Sequence, residues 1–260
     1  MTQDRELLDI YRRFPCRTLP NAFWKTGAQG DALRVTVEWD MEGALTALAV
    51  RVDGRFLSFW CTDPMNHPFS AQEVAEARFV LVHDDARSVF SGRDFARQEA
   101  YFRLVHSGTT PDDQCPPHHR YADVDPGSEI SDVVELIRSC YRNIDIDESI
   151  VHSWLAHPTY HPDLWVWIRE SETNRPVGLG IAGLDPAVPE ASLEWVQVLP
   201  KEQRKGLGKA LTAELLRRVA GKAAFTTVSG RLHSRSRPER LYRSCGFVGD
   251  DIWWLLAENE

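Results

Sequence analysis

The stretch Leu193–Leu211, Leu-Glu-Trp-Val-Gln-Val-Leu-Pro-Lys-Glu-Gln-Arg-Lys-Gly-Leu-Gly-Lys-Ala-Leu, constrains this chain more than any other. Ser192 to Leu199 reads as a strand, and Pro200, which has no N–H, ends its pairing. A short basic loop follows, from Gln203 to Gly208, with two glycines that let the backbone come close to a ligand. A helix is expected at once, over Leu207 to Val219. Its first N–H groups have no intrahelical partner and its dipole is positive at that end, so an anion is favoured there. Arg204, Lys205 and Lys209 add charge. The arrangement suits a diphosphate held mainly by backbone amides.

Two other phosphate loops do not fit. The Walker pattern needs four residues between its glycines and a following Lys-Ser or Lys-Thr. The dinucleotide fingerprint needs a third glycine and an early βαβ context. What remains is Gln-x-x-Gly-x-Gly, at Gln203, Gly206 and Gly208, after Val-x-Val-x-Pro at Val196, Val198 and Pro200. This resembles the acyl-CoA signature of the GNAT family, the Gcn5-related N-acetyltransferases. A second motif in the right order agrees with it. Leu241-Tyr242-Arg243-Ser244-Cys245-Gly246-Phe247 is similar to the Leu-Tyr-x-x-x-Gly-Phe that the family carries on a short helix before a closing strand. The similarity covers residues 128–260.

The resemblance implies a GNAT fold of the α/β (α+β) class, a mixed central sheet flanked by helices, with acetyl-CoA as cosubstrate. Backbone groups of Val196, Gln197 and Val198 would bond the pantetheine arm as an added strand does. The amides of Gln203, Arg204, Lys205, Gly206, Leu207, Gly208 and Lys209 would hold the pyrophosphate. Tyr242 resembles the family's general acid, which protonates the departing thiolate. A phenol of pKa ~10 gives a proton to a thiolate of pKa ~8.5 only with help from positioning. For the general base the family points to a glutamate on the cofactor strand. Glu194, two residues before Val196 and so on the same face by alternation, is the first candidate, with Glu190 and Asp185 as alternatives. The reaction is then direct attack of a neutral amine on the thioester, the backbone polarising the acyl carbonyl. One departure stands out. Many members carry Asn-x-x-Ala before the Leu-Tyr element, where this chain has Arg235 and Pro238, with Ser229 or Arg231 available to compensate.

The rest of the chain is less specific. Val177 to Ile181 is expected to be a strand, and Ile130, Val133, Val134, Ile137 and Tyr141 mark a helix face. In the front half, Ala47–Val52 and Arg55–Trp60 flank Asp53-Gly54, a hairpin signal. Ser70 with Glu73 is a capping-box pattern, so a helix should start near Ala71. Phe79–His83 reads as a strand. Phe95, Ala96, Ala100, Phe102 and Val105 suggest a helix over Arg93–His106. The proline-rich segment Ser107–Gly127 reads as a linker, which sets domains at 1–122 and 128–260. The order of elements in the first permits a degenerate GNAT-like copy. It lacks the Gln-x-x-Gly-x-Gly loop, so no cofactor is assigned to it, and part of the acceptor wall or a homodimer surface is its expected role.

A net charge of −8 argues against a general nucleic-acid binder and is compatible with a cationic acceptor. No apolar run reaches the ~20 residues that span a bilayer, and no secretory signal is evident at the start. Five scattered cysteines fit a reducing, cytoplasmic setting. No metal centre is expected, because Pro158 interrupts the His157/His161 spacing. Trp154, Trp165 and Trp195 are core residues by default and candidates for an acceptor pocket. The expected activity is N-acetyl transfer from acetyl-CoA to a primary amine of a small molecule or peptide. Two rivals are a non-catalytic acyl-CoA-binding regulatory module and acetylation of a protein N-terminus or lysine.

Overall fold

The computed structural model describes residues 2–18, 34–52, 55–109, 111, 114–141, 144–234 and 236–258. They form two compact units, the first of residues 1–105, 229–237 and 249–260, the second of residues 106–228 and 238–248. The chain thus passes between units at 105/106, 228/229, 237/238 and 248/249, where the sequence suggests one division between 122 and 128.

The first unit opens with a helix not anticipated above, α1 (Thr2–Arg13), which buries Leu7, Ile10 and Tyr11 at helical spacing. Strands β1 (Arg34–Trp39), β2 (Leu45–Val52) and β3 (Arg55–Cys61) are successively antiparallel. Val52 lies opposite Arg55, as a tight hairpin requires; the Asp53-Gly54 turn itself lies outside the described residues. Helix α2 (Ala71–Glu76) starts where the capping box places it: Glu73 N–H donates to the Ser70 hydroxyl at 3.2 Å, and Ser70 N–H donates to the Glu73 carboxylate at 2.9 Å. It leads to β4 (Phe79–His83), parallel to β3. Phe56 and Phe59 pack on Phe69 and Phe90 with ring centroids 4.7–5.8 Å apart, forming the centre of this unit's core.

The segment expected as a helix over 93–106 is instead β5 (Arg97–His106). Ala100, Phe102, Leu104 and His106 are buried with period two along one face, and Arg103, on the other, is buried as well. The apolar spacing that imitates a helix comes from including Phe95 and Ala96, which precede the strand, and Val105, which lies half-buried on its other face.

In the second unit, β6 (His119–Asp123) pairs antiparallel with β7 (Trp165–Glu170), although it falls in the segment read as a linker. It is a short, polar edge strand beside Pro116 and Pro117, so it carries little of the apolar pattern that marks strands in a sequence. β8 (Pro176–Asp185) and β9 (Glu190–Val198) continue antiparallel, and β10 (Phe225–Arg231) runs parallel to β9. Helices α3 (Ile130–Cys140) and α4 (Glu148–Leu155) cover one face, where Val133, Ile137 and Val151 meet Trp167, Leu179 and Ile181. Helix α5 (Leu207–Val219) lies on the other, close to β8. A Cβ on Gly178 or Gly180 would come within 3.1 or 3.0 Å of Leu211 or Leu215, so these glycines let α5 approach. Helix α6 (Pro238–Ser244) follows β10.

The last strand, β11 (Val248–Ala257), was expected to close the second domain. It returns to the first unit and pairs antiparallel with β4, giving the strand order β1-β2-β3-β4-β11-β5 there. Each unit therefore contains an antiparallel pair followed by a parallel helical crossover: β2-β3-α2-β4 in the first, β8-β9-α5-β10 in the second. The fold is a mixed α+β arrangement of strands flanked by helices.

Candidate functional site

The site begins with an irregularity in β9. Ile181 lies opposite Trp195 and Ala182 opposite Leu193, so Glu194 is an extra residue, a β-bulge. On the far side, β9 pairs with β10 only over Glu190–Leu193. Beyond the bulge the paired register with β10 ends, while pairing with β8 continues to Val198. The segment from Glu194 to Val198 thus offers one strand edge to an extended ligand.

The bulge also overturns the expectation that Glu194 and Val196 share a face. Val196 lies opposite Gly180, which faces Leu211 and Leu215 of α5. Glu194 instead accepts a hydrogen bond from Ser192, which lies opposite Gly183, on the face that Ile181 and Trp195 share with α3 and α4. Strand alternation fails at a bulge, and the carboxylate is turned to the other side and exposed.

A 3-10 turn at Pro200–Glu202 carries the chain from β9 into the loop. Gln203 is exposed but not free of the strand. Its side-chain amide donates to the Val198 carbonyl at 3.1 Å and ties loop to strand. Arg204 (φ 68°) and Gly206 (φ 84°) are both left-handed. Gly206 is the N-cap of α5, with no capping side chain, and the first backbone bond of the helix runs from Ala210 N–H to the Gly206 carbonyl at 3.0 Å. The amides of Leu207 and Gly208 come before that bond, at the positive end of the helix. Lys205 is less available than its charge suggests: its ammonium lies 2.7 Å from Glu202, which also meets Arg175 at 3.1 Å. Lys205 and then Arg175 hold the Glu202 carboxyl below the usual range. Arg204 is exposed.

The two sequence motifs meet at one point. A Cβ on Gly208 would lie 3.3 Å from a Leu241 methyl and 4.0 Å from a Val198 methyl, so the start of α5, the end of β9 and helix α6 converge there. Gly246 in the second motif has φ 90°, and a Cβ there would meet His106 at 3.2 Å, which explains that glycine. Tyr242, beside Leu241, is buried and packs against Phe247 with centroids 5.7 Å apart. Burial, then the neighbouring Tyr141 phenol and Cys245, push its phenol well above the usual tyrosine value.

Of the alternative bases, Glu190 is fully buried and accepts from Thr227, and Asp185 accepts from Ala187 N–H in its own turn at 3.0 Å. Trp165 is buried in the core, whereas Trp154 and Trp195 are half-buried and stack at 5.4 Å. Arg235 lies outside the described residues, and Arg231 is ion-paired with Glu99 at 3.2 Å in the first unit. Tyr141, read as a helix-face residue, follows α3 in extended backbone and is exposed. Its hydroxyl accepts from the Gln197 amide at 2.8 Å. Cys140 beside it donates to the Val198 carbonyl at 3.6 Å, and burial pushes its thiol up to about 11. Nothing in the sequence pointed to either residue, because both roles depend on where α3 ends over β9. Among the described residues, no group of three or more His, Cys, Asp or Glu is placed to hold a metal ion, and no helix is long and apolar enough to cross a membrane.

Residues 162–249 match the family model of the acetyltransferase (GNAT) domain, a range that contains both motifs and ends where the chain returns to the first unit. No curated protein matches the chain. Among solved structures, the chain is similar to a GCN5-related N-acetyltransferase from Sphaerobacter thermophilus, with TM-score 0.65, 14% identity and coverage of 88% of this chain and 81% of that one. It is also similar to an acetyltransferase of the GNAT family from Colwellia psychrerythraea (TM-score 0.60, 11% identity, 98% and 97% covered). A tandem GNAT protein from the clavulanic acid biosynthesis pathway gives TM-score 0.58 at 12% identity, with 98% and 95% covered. At such identities the likeness is one of fold, and it extends over most of the chain. Residues 162–249, which carry β9, the basic loop, α5 and α6, are a domain of the GNAT acetyltransferase family.

Proposed function

We propose that the second unit transfers an acetyl group from acetyl-CoA to a primary amine by direct attack in a ternary complex. The observation that carries this is the convergence at Gly208 of an open strand edge, an uncapped helix start and the Tyr242 helix. The edge from Glu194 to Val198 suits the amides of a pantetheine arm, and the amides from Gln203 to Lys209 suit the diphosphate. Arg204 and Lys209 supplement those amides, while Lys205 serves the loop through Glu202. Glu194, exposed on its bulge, takes the proton that the amine loses on attack, directly or across one water. Tyr242 gives a proton to the departing sulfur. The net charge of −8 favours a cationic acceptor, small molecule or peptide.

Calorimetry with acetyl-CoA, followed by thioester turnover with a panel of amines and lysine peptides, tests the reading. Binding with turnover of at least one amine supports it. One observation favours the non-catalytic alternative: a phenol as buried as that of Tyr242 is hard to ionise. Tight binding, no turnover and an unchanged protein on Tyr242→Phe would establish a binding module instead. A structure with acetyl-CoA in which the diphosphate avoids the amides around Gly206 and Gly208 would refute both readings.

A further inference from the structure

Lys205 stands directly before Gly206, the uncapped start of α5, yet in the free chain its ammonium donates to one oxygen of Glu202 at 2.7 Å. The other oxygen of Glu202 accepts from Arg175 at 3.1 Å. Glu202 is mostly buried, whereas Lys205 and Arg175 are exposed. Arg175 is also fixed independently of Glu202. It ends the tight turn between β7 and β8, where Glu170 N–H donates to the Arg175 carbonyl at 3.0 Å, and its Nη2 and Nε donate to the Glu170 carboxylate at 2.6 and 3.3 Å. A guanidinium fork set on one carboxylate still has a donor for a second. Lys205 has no such anchor: its ammonium sits on a flexible stem. A mostly buried carboxylate needs a cation beside it, because an uncompensated charge there is costly. Glu202 has two, so one of them can leave.

We propose that Lys205 is a diphosphate ligand held in reserve on Glu202, and that Arg175, outside the loop, is the positioning residue that releases it. This rests on the reading of the loop as the diphosphate site. When the diphosphate arrives, the Lys205 ammonium turns from Glu202 to a phosphate oxygen, and Glu202 keeps the Arg175 guanidinium. No covalent bond changes and no proton moves. Before the ligand binds, Lys205 holds the loop through Glu202; afterwards the loop is still tied to the β7–β8 turn through Arg175. Arg175 thereby sets the affinity for the donor from a turn that the donor need not touch.

The test is calorimetry with acetyl-CoA on the full chain as the native protein, Arg175→Gln, Glu202→Gln and the double variant. Arg175→Gln should weaken Kd about 5- to 20-fold, because Lys205 becomes the only cation on Glu202 and stays there. Glu202→Gln frees Lys205 and should bind at least as tightly as the native chain. The double variant should bind like Glu202→Gln, so that removing the carboxylate cancels the loss caused by removing the guanidinium. Arg175→Lys, which keeps a cation at the turn, should recover most of the affinity. Arg175→Gln should melt within a few degrees of the native chain, since Arg175 is exposed. A brace that only ties the loop to the turn gives a different pattern: Glu202→Gln as weak as Arg175→Gln, and the double variant no better. That pattern, or an unchanged Kd in Arg175→Gln, overturns the proposal, and so does native affinity in Lys205→Met. The readout is binding and needs no turnover. A native chain that does not bind acetyl-CoA overturns the diphosphate reading itself, and one that binds it but acetylates nothing overturns the transfer step alone.

Discussion

Gly206→Ala isolates what the left-handed N-cap of α5 contributes. At Gly206 φ is 84°, and the nearest atom to an added Cβ is a Pro116 carbon at 4.0 Å, so the substitution meets no steric obstacle. The cost is the backbone's alone, about 1–2 kcal/mol for an L-residue in the left-handed region. If the loop keeps its conformation, the whole cost falls on stability and lowers Tm by a few degrees, at roughly 2–4 °C per kcal/mol for a chain of this size. If the loop relaxes to negative φ, the amides of Leu207 and Gly208 lose their arrangement. The same 1–2 kcal/mol must then be returned when acetyl-CoA binds, which weakens Kd about 5- to 30-fold. Gly221→Ala is the control. Gly221 follows the other end of the same helix, has φ 75° and has no atom within 4 Å of an added Cβ, so its backbone cost is similar. Thermal melts and calorimetry with acetyl-CoA decide the matter. Gly221→Ala should lose Tm alone, whereas Gly206→Ala should divide a similar cost between Tm and affinity. A Gly206→Ala protein that keeps its Tm, and so has relaxed, yet binds acetyl-CoA as tightly as the native chain would show that this loop does not hold the diphosphate, and so would equal losses of affinity in the two variants.

Other outcomes follow from the same geometry. Glu194→Gln should lower kcat about 100-fold with Tm unchanged, because the carboxylate is exposed; Glu190→Gln, at a fully buried residue bonded to Thr227, should cost about 1–3 kcal/mol of stability, read by denaturant unfolding. The Tyr242 phenol binds its proton more tightly folded than unfolded, so stability should fall as pH rises past the ordinary tyrosine pKa of ~10, by up to ~1.4 kcal/mol per pH unit. Tyr242→Phe should remove that part of the slope, and an identical slope in both proteins would contradict the burial. Calorimetry should also find one acetyl-CoA bound per chain, and a stoichiometry of two would mean that the first unit has a site of its own.

Much of the second unit was legible because its elements carry local signals. Pro200, Gly206 and the apolar face of α5 mark the turn and the helix, and α5 spans Leu207–Val219 as expected. α6, over Pro238–Ser244, carries Leu241 and Tyr242 on the short helix that the second motif implies. Elements whose place is set by distant partners were not legible. β6 is a polar edge strand defined by its pairing with β7. β11 looks like the closing strand of the second unit, yet its register is with His83 to Phe79 of β4, and nothing local encodes that choice. At the site, residue identities could be read and orientations could not. The bulge at Glu194 turns its carboxylate away from the Val196 face, Gln203 folds back on Val198, and Glu202 occupies Lys205. Each of these depends on register or on a partner, which residue types do not fix.

The two crossovers show how one connectivity can either seal or expose a helix start. In the first unit the Ser70 hydroxyl and the Glu73 carboxylate cap α2, and Glu73 is also paired with Arg51. The negative charge favoured at that helix end is supplied by the chain itself, and a diphosphate brought there would meet a carboxylate. In the second unit the equivalent position is Gly206, which forgoes a side-chain cap at a cost of roughly a few tenths of a kcal/mol, and it follows Arg204, whose left-handed backbone costs about 1–2 kcal/mol. The loop is held in this state by Gln203 on Val198 and by Glu202 on Lys205 and Arg175, all of which lie beside the helix start without covering it. A helix that leaves its positive end uncapped while its neighbours fix the loop is pre-organised for an anion from outside the chain. The start of α2 lacks this property because of two side chains, Ser70 and Glu73, and not because of the strand order around it.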